Sequence, residues 1–299
     1  MERKTIQYLT MDIGGTYIKY GIMDSNFKEI SSNTVATRKD PDLFLNQLFH
    51  IAAEQLPDIA GIAISIGGFI NPDTGANVDY SVGENFRKYN LMEKLQEYTG
   101  LPVGIENDSN CAALAELHLG AGKECSDFCM ITLGTGIGGA VIHKRELIRG
   151  RNFKAGEFGF TRIGRLRGKD GYIYHGASAT SSLVKKVSEA LKKEVNGEYI
   201  FAHLKDEVVW KIYEEWAEDL TMVVGNAAVC MDTEKVIIGG GISAQKFFIQ
   251  DLRKRVYDRF KPLSDYTKIE AAVLGNNAGK IGALIEFLKR KEGKVIRYE

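Results

Sequence analysis

The sequence has no excess of charge of either sign. It contains 39 Lys and Arg residues against 39 Asp and Glu residues, so its formal net charge is zero. Proteins that bind nucleic acid or an anionic membrane surface usually carry a basic excess, so neither class is favoured. Long hydrophobic runs are also missing. No segment approaches the roughly 20 apolar residues of a membrane span, and no apolar stretch of a signal peptide precedes the first strand pattern.

Cysteine is scarce. The four cysteines, Cys111, Cys125, Cys129 and Cys230, form no CxxC pair and no dense disulfide pattern. This usage is typical of a reducing compartment, so we expect a cytoplasmic protein without nucleic-acid or membrane partners. What the chain does have is 299 residues with 44% hydrophobic content, enough for one large or two ordinary domains.

Strand and helix patterns alternate along the first part of the chain, which predicts an α/β layer architecture. Residues 14–16, Gly-Gly-Thr, form a tight turn between the first two strands, and such small residues let the backbone approach a phosphate closely. We predict strands at 8–13, 17–23, 29–36, 59–68 and near 103–105, and helices at 41–54, 91–98 and from about 108 onward.

The pattern starts again after residue 127. A strand at 128–133, a glycine turn at 134–139 and a strand at 140–143 repeat the opening of the chain, which suggests two related halves. The turn matches GxGxxG, but a dinucleotide site needs a helix next, and AVIH alternates as a strand does. GxxxxGK[ST] is absent, so a P-loop is excluded.

The rest of the chain is mainly helical from 183 to 230, where Trp210, Tyr213 and Trp216 are best explained as packing residues. A strand is predicted at 235–241, with Ser243 capping the helix after it. A last helix, NNAGKIGALIEFLKRK, should pack back on the first half.

Asp108 lies where a strand meets a helix. There a carboxylate receives backbone N–H groups and the positive end of the helix dipole, so it should stay ionised and hold one orientation. On this segment alone, helix capping by Asn107, Asp108, Ser109 or Asn110 explains the residue as simply as catalysis does.

Five motifs in order resemble the ROK family of bacterial sugar kinases. MDIGGTYIKYG and ITLGTGIGGAVI are similar to its two phosphate motifs, ENDSNCAALAE to its catalytic motif, KAGEFG to its sugar-binding motif and VIIGGGIS to its adenosine segment. The resemblance implies an α/β, actin-like ATPase fold in which two ribonuclease-H-like domains flank a cleft. We expect a smaller domain of residues 1–118 plus 286–299 and a larger one of residues 119–285.

The resemblance also implies an ATP-dependent kinase that phosphorylates the 6-hydroxyl of a hexose or hexose derivative. Asp108 would accept the proton of the hydroxyl, and Asp12 would hold Mg²⁺ through water. The sugar would contact Gly68, Asn85, Asn107, Asp108, Glu157 and the Phe160 position. ATP would contact Asp12, Gly14, Gly15, Thr16, Lys19, Gly134, Thr135, Gly136 and Gly240.

One region departs from the family pattern. Phe160 stands where most members have a His that contacts the sugar, and RLRGKDGYIY replaces a zinc-binding cysteine cluster that ends in a Glu that also contacts the sugar. Arg165, Arg167 and Tyr172 take the cysteine positions, Tyr174 takes the Glu position, and His175 alone is a weak ligand. Because no cysteine lies between Cys129 and Cys230, we expect no zinc site. We then expect a change in which substituents are tolerated at C1 and C2 of the sugar. Glucose, N-acetylmannosamine and β-glucosides all stay open as substrates.

Two other functions compete with a kinase. Transcriptional repressors of the family place a helix-turn-helix domain before the first phosphate motif, where this sequence has only eleven residues before Asp12. A non-catalytic sugar-sensing protein is the second alternative, and both glycine turns, Asp12, Asp108 and Glu157 speak against it. A homodimer is expected from the resemblance.

Overall fold

The computed structural model describes residues 5–56, 58–79, 84–163 and 179–292 of the chain. These residues belong to two compact units. The first unit comprises Met1–His118, Gly150–Lys154 and Asn276–Glu299, and the second comprises Leu119–Arg149 and Ala155–Gly275.

The first unit is a five-stranded sheet with helices. Its elements in chain order are β1 (Gln7–Ile13), β2 (Tyr17–Asp24), β3 (Asn33–Ala36), α1 (Pro41–Ala53), β4 (Ile62–Ile66), α2 (Leu91–Thr99), β5 (Val103–Asn107) and α3 (Asp108–Leu119). The strand order is β3-β2-β1-β4-β5. β1 pairs antiparallel with β2 and parallel with β4, which pairs parallel with β5. The central strand β4 is buried along its whole length, as its continuous apolar sequence predicts.

The second unit repeats this topology. It contains β6 (Phe128–Leu133), β7 (Ile137–His143), β8 (Glu146–Ile148), α4 (Thr180–Leu191), α5 (Gly197–Ala202), α6 (Glu207–Met231), β9 (Lys235–Gly239), α7 (Lys246–Arg259) and β10 (Lys268–Ala271). Its strand order, read as β8-β7-β6-β9-β10, matches the first sheet strand for strand. β6, β7 and β8 pair antiparallel, and β9 and β10 extend the sheet in parallel from β6. Two related halves, as the repeated glycine turns suggested, are therefore observed.

The last helix, α8 (Ala278–Glu292), belongs to the first unit and packs against β1, β4 and β5. It returns to the first half as predicted, and the boundary expected at residue 286 falls inside it. In the second unit, Tyr213 and Trp216 are fully buried and Trp210 is partly buried against the same core, so these aromatics are packing residues as predicted. In the described part of the chain, no helix is both long enough and apolar enough to cross a membrane.

Several predicted boundaries are wrong for local reasons. β3 begins at Asn33 and not at residue 29, because Ile30 N and Ser31 N both bond to Ile22 O and interrupt the ladder. β4 is shorter at both ends than 59–68. The second glycine turn spans only 134–136, because Gly138 and Gly139 already pair with Thr132 and Ile131 in the β7 ladder.

The prediction for Ser243 is also wrong. β9 ends at Gly239, and a 3₁₀ turn, Gly241–Ala244, separates it from α7. The hydroxyl of Ser243 donates to Gly240 O at 2.8 Å inside that turn, so it is not available to cap α7, which starts without a side-chain cap at Gln245.

Candidate active site

The turn between β1 and β2 exposes Gly14, Gly15 and Thr16. Its carbonyl groups are held by the segment after β3: Thr37 Oγ1 donates to Gly14 O at 2.7 Å, and Thr37 N donates to Thr16 O at 2.9 Å. Lys39 Nζ donates to the carbonyl between them, Gly15 O. Since the N–H of a trans peptide points opposite to its C=O, the N–H groups of Gly15 and Thr16 point away from this segment. Neither N–H has an acceptor within the described residues, so the turn is suited to an anion such as a phosphate.

Asp12 is the last residue but one of β1 and lies next to this turn. Ser65 Oγ on β4 donates to Asp12 Oδ1 at 2.8 Å and fixes the carboxylate. Burial raises the pKa of Asp12, and the hydrogen bond from Ser65 and the positive charge of Lys19 oppose that rise. Lys19 faces Asp12 across the β1–β2 pair, and its Nζ donates to Asn276 Oδ1 at 3.1 Å. The first glycine motif therefore places a carboxylate, held in one orientation by Ser65, beside the exposed turn.

The junction of β5 and α3 resolves the question of the helix cap. Asn107 takes that role, because its Oδ1 accepts from Asn110 N at 3.0 Å, while its Nδ2 donates to Gly68 O at 2.9 Å. Asp108 is the first residue of α3, and its Oδ1 accepts from Ser109 N at 2.7 Å. Among the described residues, no other residue donates a hydrogen bond to the second carboxylate oxygen, Oδ2.

The helix start predicts an ionised, oriented Asp108, and the folded chain adds effects that raise its pKa. Asp108 is exposed to solvent, but neighbouring protein atoms surround its carboxylate and reduce its contact with water. This desolvation raises the pKa of Asp108, and the like charge of Asp12 raises it further. The hydrogen bonds from Ser109 act in the opposite direction but do not cancel the rise. The charge of Asp12 thus acts on a second carboxylate, that of Asp108, and carboxylates are the donors that a hard divalent cation prefers.

Two residues near this junction were missed by the sequence reasoning. Glu106 is buried, and its Oε1 accepts from Asn107 N at 2.7 Å and from Asn110 Nδ2 at 2.9 Å, which fixes the cap. A carboxylate inside the apolar strand pattern VGIEN was an available signal for it. Asn77 donates from Nδ2 to Gly67 O at 3.2 Å and supports the turn after β4, and nothing in the sequence pointed to that contact.

Asn85, a predicted sugar contact, is hydrogen-bonded to the segment that supports the first glycine turn. It is buried in a 3₁₀ turn, Glu84–Phe86, and its Nδ2 donates to Arg38 O at 3.3 Å. Arg38 lies between Thr37 and Lys39, the two residues that hold the first turn. In the first unit, the structure therefore brings together Gly68 with Asn107, Asp12 with Asp108, and Asn85 with the segment that supports the turn.

In the second unit, the turn Gly134–Thr135–Gly136 is held in a similar way. Gly134 N donates to Gly136 O at 3.0 Å, and Ser181, near the start of α4, donates from N to Gly134 O at 3.1 Å and from Oγ to Thr135 O at 2.7 Å. The carbonyls of this turn are again occupied by a neighbouring segment.

Gly240 follows β9 with φ at +91°. A Cβ atom there would lie 2.0 Å from the carbonyl oxygen of Leu133, the last residue of β6. Only glycine satisfies both the backbone angle and this close approach, so the end of β9 passes directly beside the second glycine turn.

Glu157 precedes a short 3₁₀ turn, Phe158–Phe160, in the second unit, and Phe160 is the last residue of that turn. Glu157 is half-buried, and the ring of Phe160 is 50% exposed. The predictions for Arg165, Arg167, Tyr172, Tyr174 and His175 fall on residues 164–178, which lie outside the described residues. The substitute for the cysteine cluster therefore stays a prediction.

Comparison with known proteins gives a consistent result. The ROK family model matches residues 8–290. A beta-glucoside kinase from Listeria monocytogenes serovar 1/2a is 37% identical over 290 residues, which cover 94% of this chain and 97% of that protein. A solved Listeria monocytogenes structure, proposed to be an N-acetylmannosamine kinase, superposes with a TM-score of 0.87 at 35% identity and covers 96% of this chain and all of that one. A ROK family glucokinase from Streptomyces griseus, solved with glucose and AMPPNP, gives a TM-score of 0.78 at 27% identity, with 94% and 98% of the two chains covered.

Two mixed sheets with helices, superposing on ROK sugar kinases, define the actin-like ATPase fold, so the predicted fold class is confirmed. The chain belongs to the ROK family. Its relatives include beta-glucoside kinases and glucokinases, which supports a sugar kinase that uses ATP and a small-molecule sugar.

Proposed function

We propose that this protein transfers the γ-phosphate of ATP to the 6-hydroxyl of a hexose or hexose derivative, with Asp108 as the general base. The observation that carries the proposal is the β5–α3 junction. There Asn107 supplies the helix cap, and Asp108 Oδ2 accepts no hydrogen bond from another residue in the described part of the chain.

The raised pKa suits this role. A carboxylate with a higher pKa is a stronger base, and the proton of a hydroxyl is lost late in phosphoryl transfer. In the reaction, a bond forms between the sugar oxygen and the γ-phosphorus as the bond from that phosphorus to the bridging oxygen breaks. The hydroxyl proton passes to Asp108, and ADP leaves with the bridging oxygen and its electrons.

Backbone groups would hold the nucleotide. In the first unit, the N–H groups of Gly15 and Thr16 have no acceptor among the described residues, and Lys19 faces Asp12 beside this turn. In the second unit, Gly134, Thr135, Gly136 and Gly240 offer a similar arrangement for ATP. Asp12 would hold Mg²⁺ through water. Its carboxylate and that of Asp108 fit a cation, because both are oxygen donors and the negative charge of Asp12 acts on Asp108. When bound, Mg²⁺ would neutralise charge on the phosphates.

The sugar would contact Gly68, Asn85, Asn107, Asp108, Glu157 and Phe160. Asn107 retains one amide hydrogen after its bond to Gly68, so it can still donate to a hydroxyl. Phe160 presents a half-exposed ring where most family members have a His, which favours an apolar contact near C1 or C2. Glucose, N-acetylmannosamine and a β-glucoside remain open as substrates, and a homodimer and a cytoplasmic location remain predictions.

A substrate panel tests the proposal. Glucose, mannose, fructose, N-acetylmannosamine, N-acetylglucosamine and cellobiose are each incubated with Mg-ATP, and the sugar phosphate is measured directly beside ADP release. We expect phosphorylation of a subset at the 6-hydroxyl, with Phe160→His changing the order of preference. Absence of any sugar phosphate contradicts the kinase and favours a sugar-sensing protein, and equal rates on all six sugars contradict the selectivity assigned to Phe160.

A further inference from the structure

Lys39 is a cation beside the first phosphate turn to which no role has been given. Its ammonium group donates to Gly15 O, the carbonyl of the peptide whose N–H belongs to Thr16. An ammonium group has three donors, and this contact uses one of them. Among the described residues, no carboxylate pairs with Lys39.

The nearest acidic residue in sequence does not neutralise Lys39. Asp40 caps α1, and its Oδ1 accepts from Asp42 N at 3.0 Å and from Leu43 N at 2.9 Å. The carboxylate of Asp40 is therefore turned to its own helix, and the charge of Lys39 stays uncompensated next to the turn.

The backbone that carries Lys39 is fixed from three sides. Arg38 N donates to Gln47 Oε1 at 3.1 Å, Arg38 O accepts from Asn85 Nδ2 at 3.3 Å, and Thr37 is bonded to the turn itself. The base of the Lys39 side chain thus sits between the turn proposed to bind phosphate and Asn85, which is proposed to bind the sugar. The side chain above it is exposed, so its ammonium group can move from the carbonyl side of the turn to the side toward which the N–H groups point.

The geometry points to Lys39 as the cation that binds the transferred phosphoryl group, an inference that rests on the proposed kinase function. Its Nζ leaves the weak carbonyl contact at Gly15 and binds the γ-phosphate oxygens, where negative charge accumulates as the phosphoryl group moves between two oxygens. Lys39 neither gains nor loses a proton in this step, because the proton of the hydroxyl goes to Asp108. A cation that meets the developing charge in the transition state lowers the barrier more than it tightens ground-state binding.

The test compares Lys39→Met with wild type and with Lys28→Met, an exposed lysine variant whose side chain makes no hydrogen bond in the described part of the chain. Binding of ADP and of AMPPNP is measured by calorimetry, and kcat is measured on the best sugar. We expect Lys39→Met to lower kcat by about 10²–10³-fold, to weaken AMPPNP binding and to leave ADP binding unchanged. Lys39→Arg should restore part of the rate, and Lys28→Met should match wild type.

Other results for nucleotide binding or for kcat would contradict different parts of this proposal. Equal weakening of ADP and AMPPNP means that Lys39 only braces the turn, and an unchanged kcat means that it does not touch the phosphoryl group. If wild type phosphorylates no sugar while Lys39→Met still selectively weakens AMPPNP binding, the proposed function fails and the phosphate contact stands.

Discussion

Replacing Gly279 by Ala should impair the reaction without unfolding the protein. Gly279 is the second residue of α8, and a Cβ atom there would lie 2.7 Å from both Cγ and Oδ1 of Asp12. Ordinary contacts begin at 3.4 Å, so the shortfall is about 0.7 Å. Asp12 cannot yield freely, because Ser65 holds its Oδ1 and β1 is paired on both sides. A displacement of that order at a reacting centre costs about 10²-fold in rate.

Stability should change little in the same variant. Alanine is favoured over glycine within a helix by up to about 1 kcal/mol, which offsets part of the clash. The assay is kcat as a function of Mg²⁺ concentration, together with a urea denaturation curve. Gly197→Ala, at the first residue of α5 with open space around its Cβ position, is the matched control. A Gly279→Ala enzyme with wild-type kcat and wild-type Mg²⁺ dependence would refute the reasoning.

Three further predictions concern separate parts of the molecule. Lys280, fully buried on α8, pairs with the partly exposed Glu29, so Glu29→Ala should cost about 2 kcal/mol in urea denaturation and Lys280→Met under about 1 kcal/mol. If the two variants lose similar amounts of stability, the penalty that we assign to leaving the buried Lys280 ammonium group without its carboxylate partner is wrong. Gly240→Ala should lower both the thermal midpoint and AMPPNP affinity, because its Cβ meets Leu133 O, and wild-type values for both would oppose this. Since burial and Asp12 raise the pKa of Asp108, activity should be lost as the pH falls through that raised pKa, so the acid limb of kcat/KM should lie above the ordinary 3.8. An inflection at or below that value would rule out the raised pKa.

Much of the fold could be predicted because apolar runs and glycine turns are local signals. The strand Phe128–Leu133 was located to the residue, and the repeated hairpin with a Gly/Thr turn indicated the two related units. The boundaries that failed depend on partners that lie farther away. β3 is shortened because Ser31 bonds to Ile22 across the sheet, and Ser31 Oγ itself accepts from Ile22 N at 3.1 Å. No pattern in the sequence before residue 33 encodes that contact.

The candidate site was predictable in composition but not in geometry. The five motifs identified which residues to consider, yet they could not decide between Asn107 and Asp108 as the cap of α3. That choice depends on Gly68 O, about forty residues earlier in the chain, which positions the amide of Asn107. The helix start that favours an ionised Asp108 was visible in the sequence, whereas the surrounding desolvation that raises its pKa was not.

Lys39 and Gly279 illustrate the same point. One is an exposed lysine in a loop and the other a glycine early in a helix, and both are ordinary in sequence. Their interest comes from contacts with Gly15 and Asp12 that only the folded chain creates.

The central claim is that a single carboxylate accepts the proton of the attacking sugar hydroxyl. The measurement that tests it most directly is sugar phosphate formation by Asp108→Asn, with AMPPNP binding and a thermal midpoint recorded on the same preparation. Asparagine keeps the size and the hydrogen bond from Ser109 but cannot accept the proton, so we expect wild-type folding and nucleotide binding with turnover reduced by about 10²–10⁴-fold. Wild-type turnover in Asp108→Asn would contradict the account.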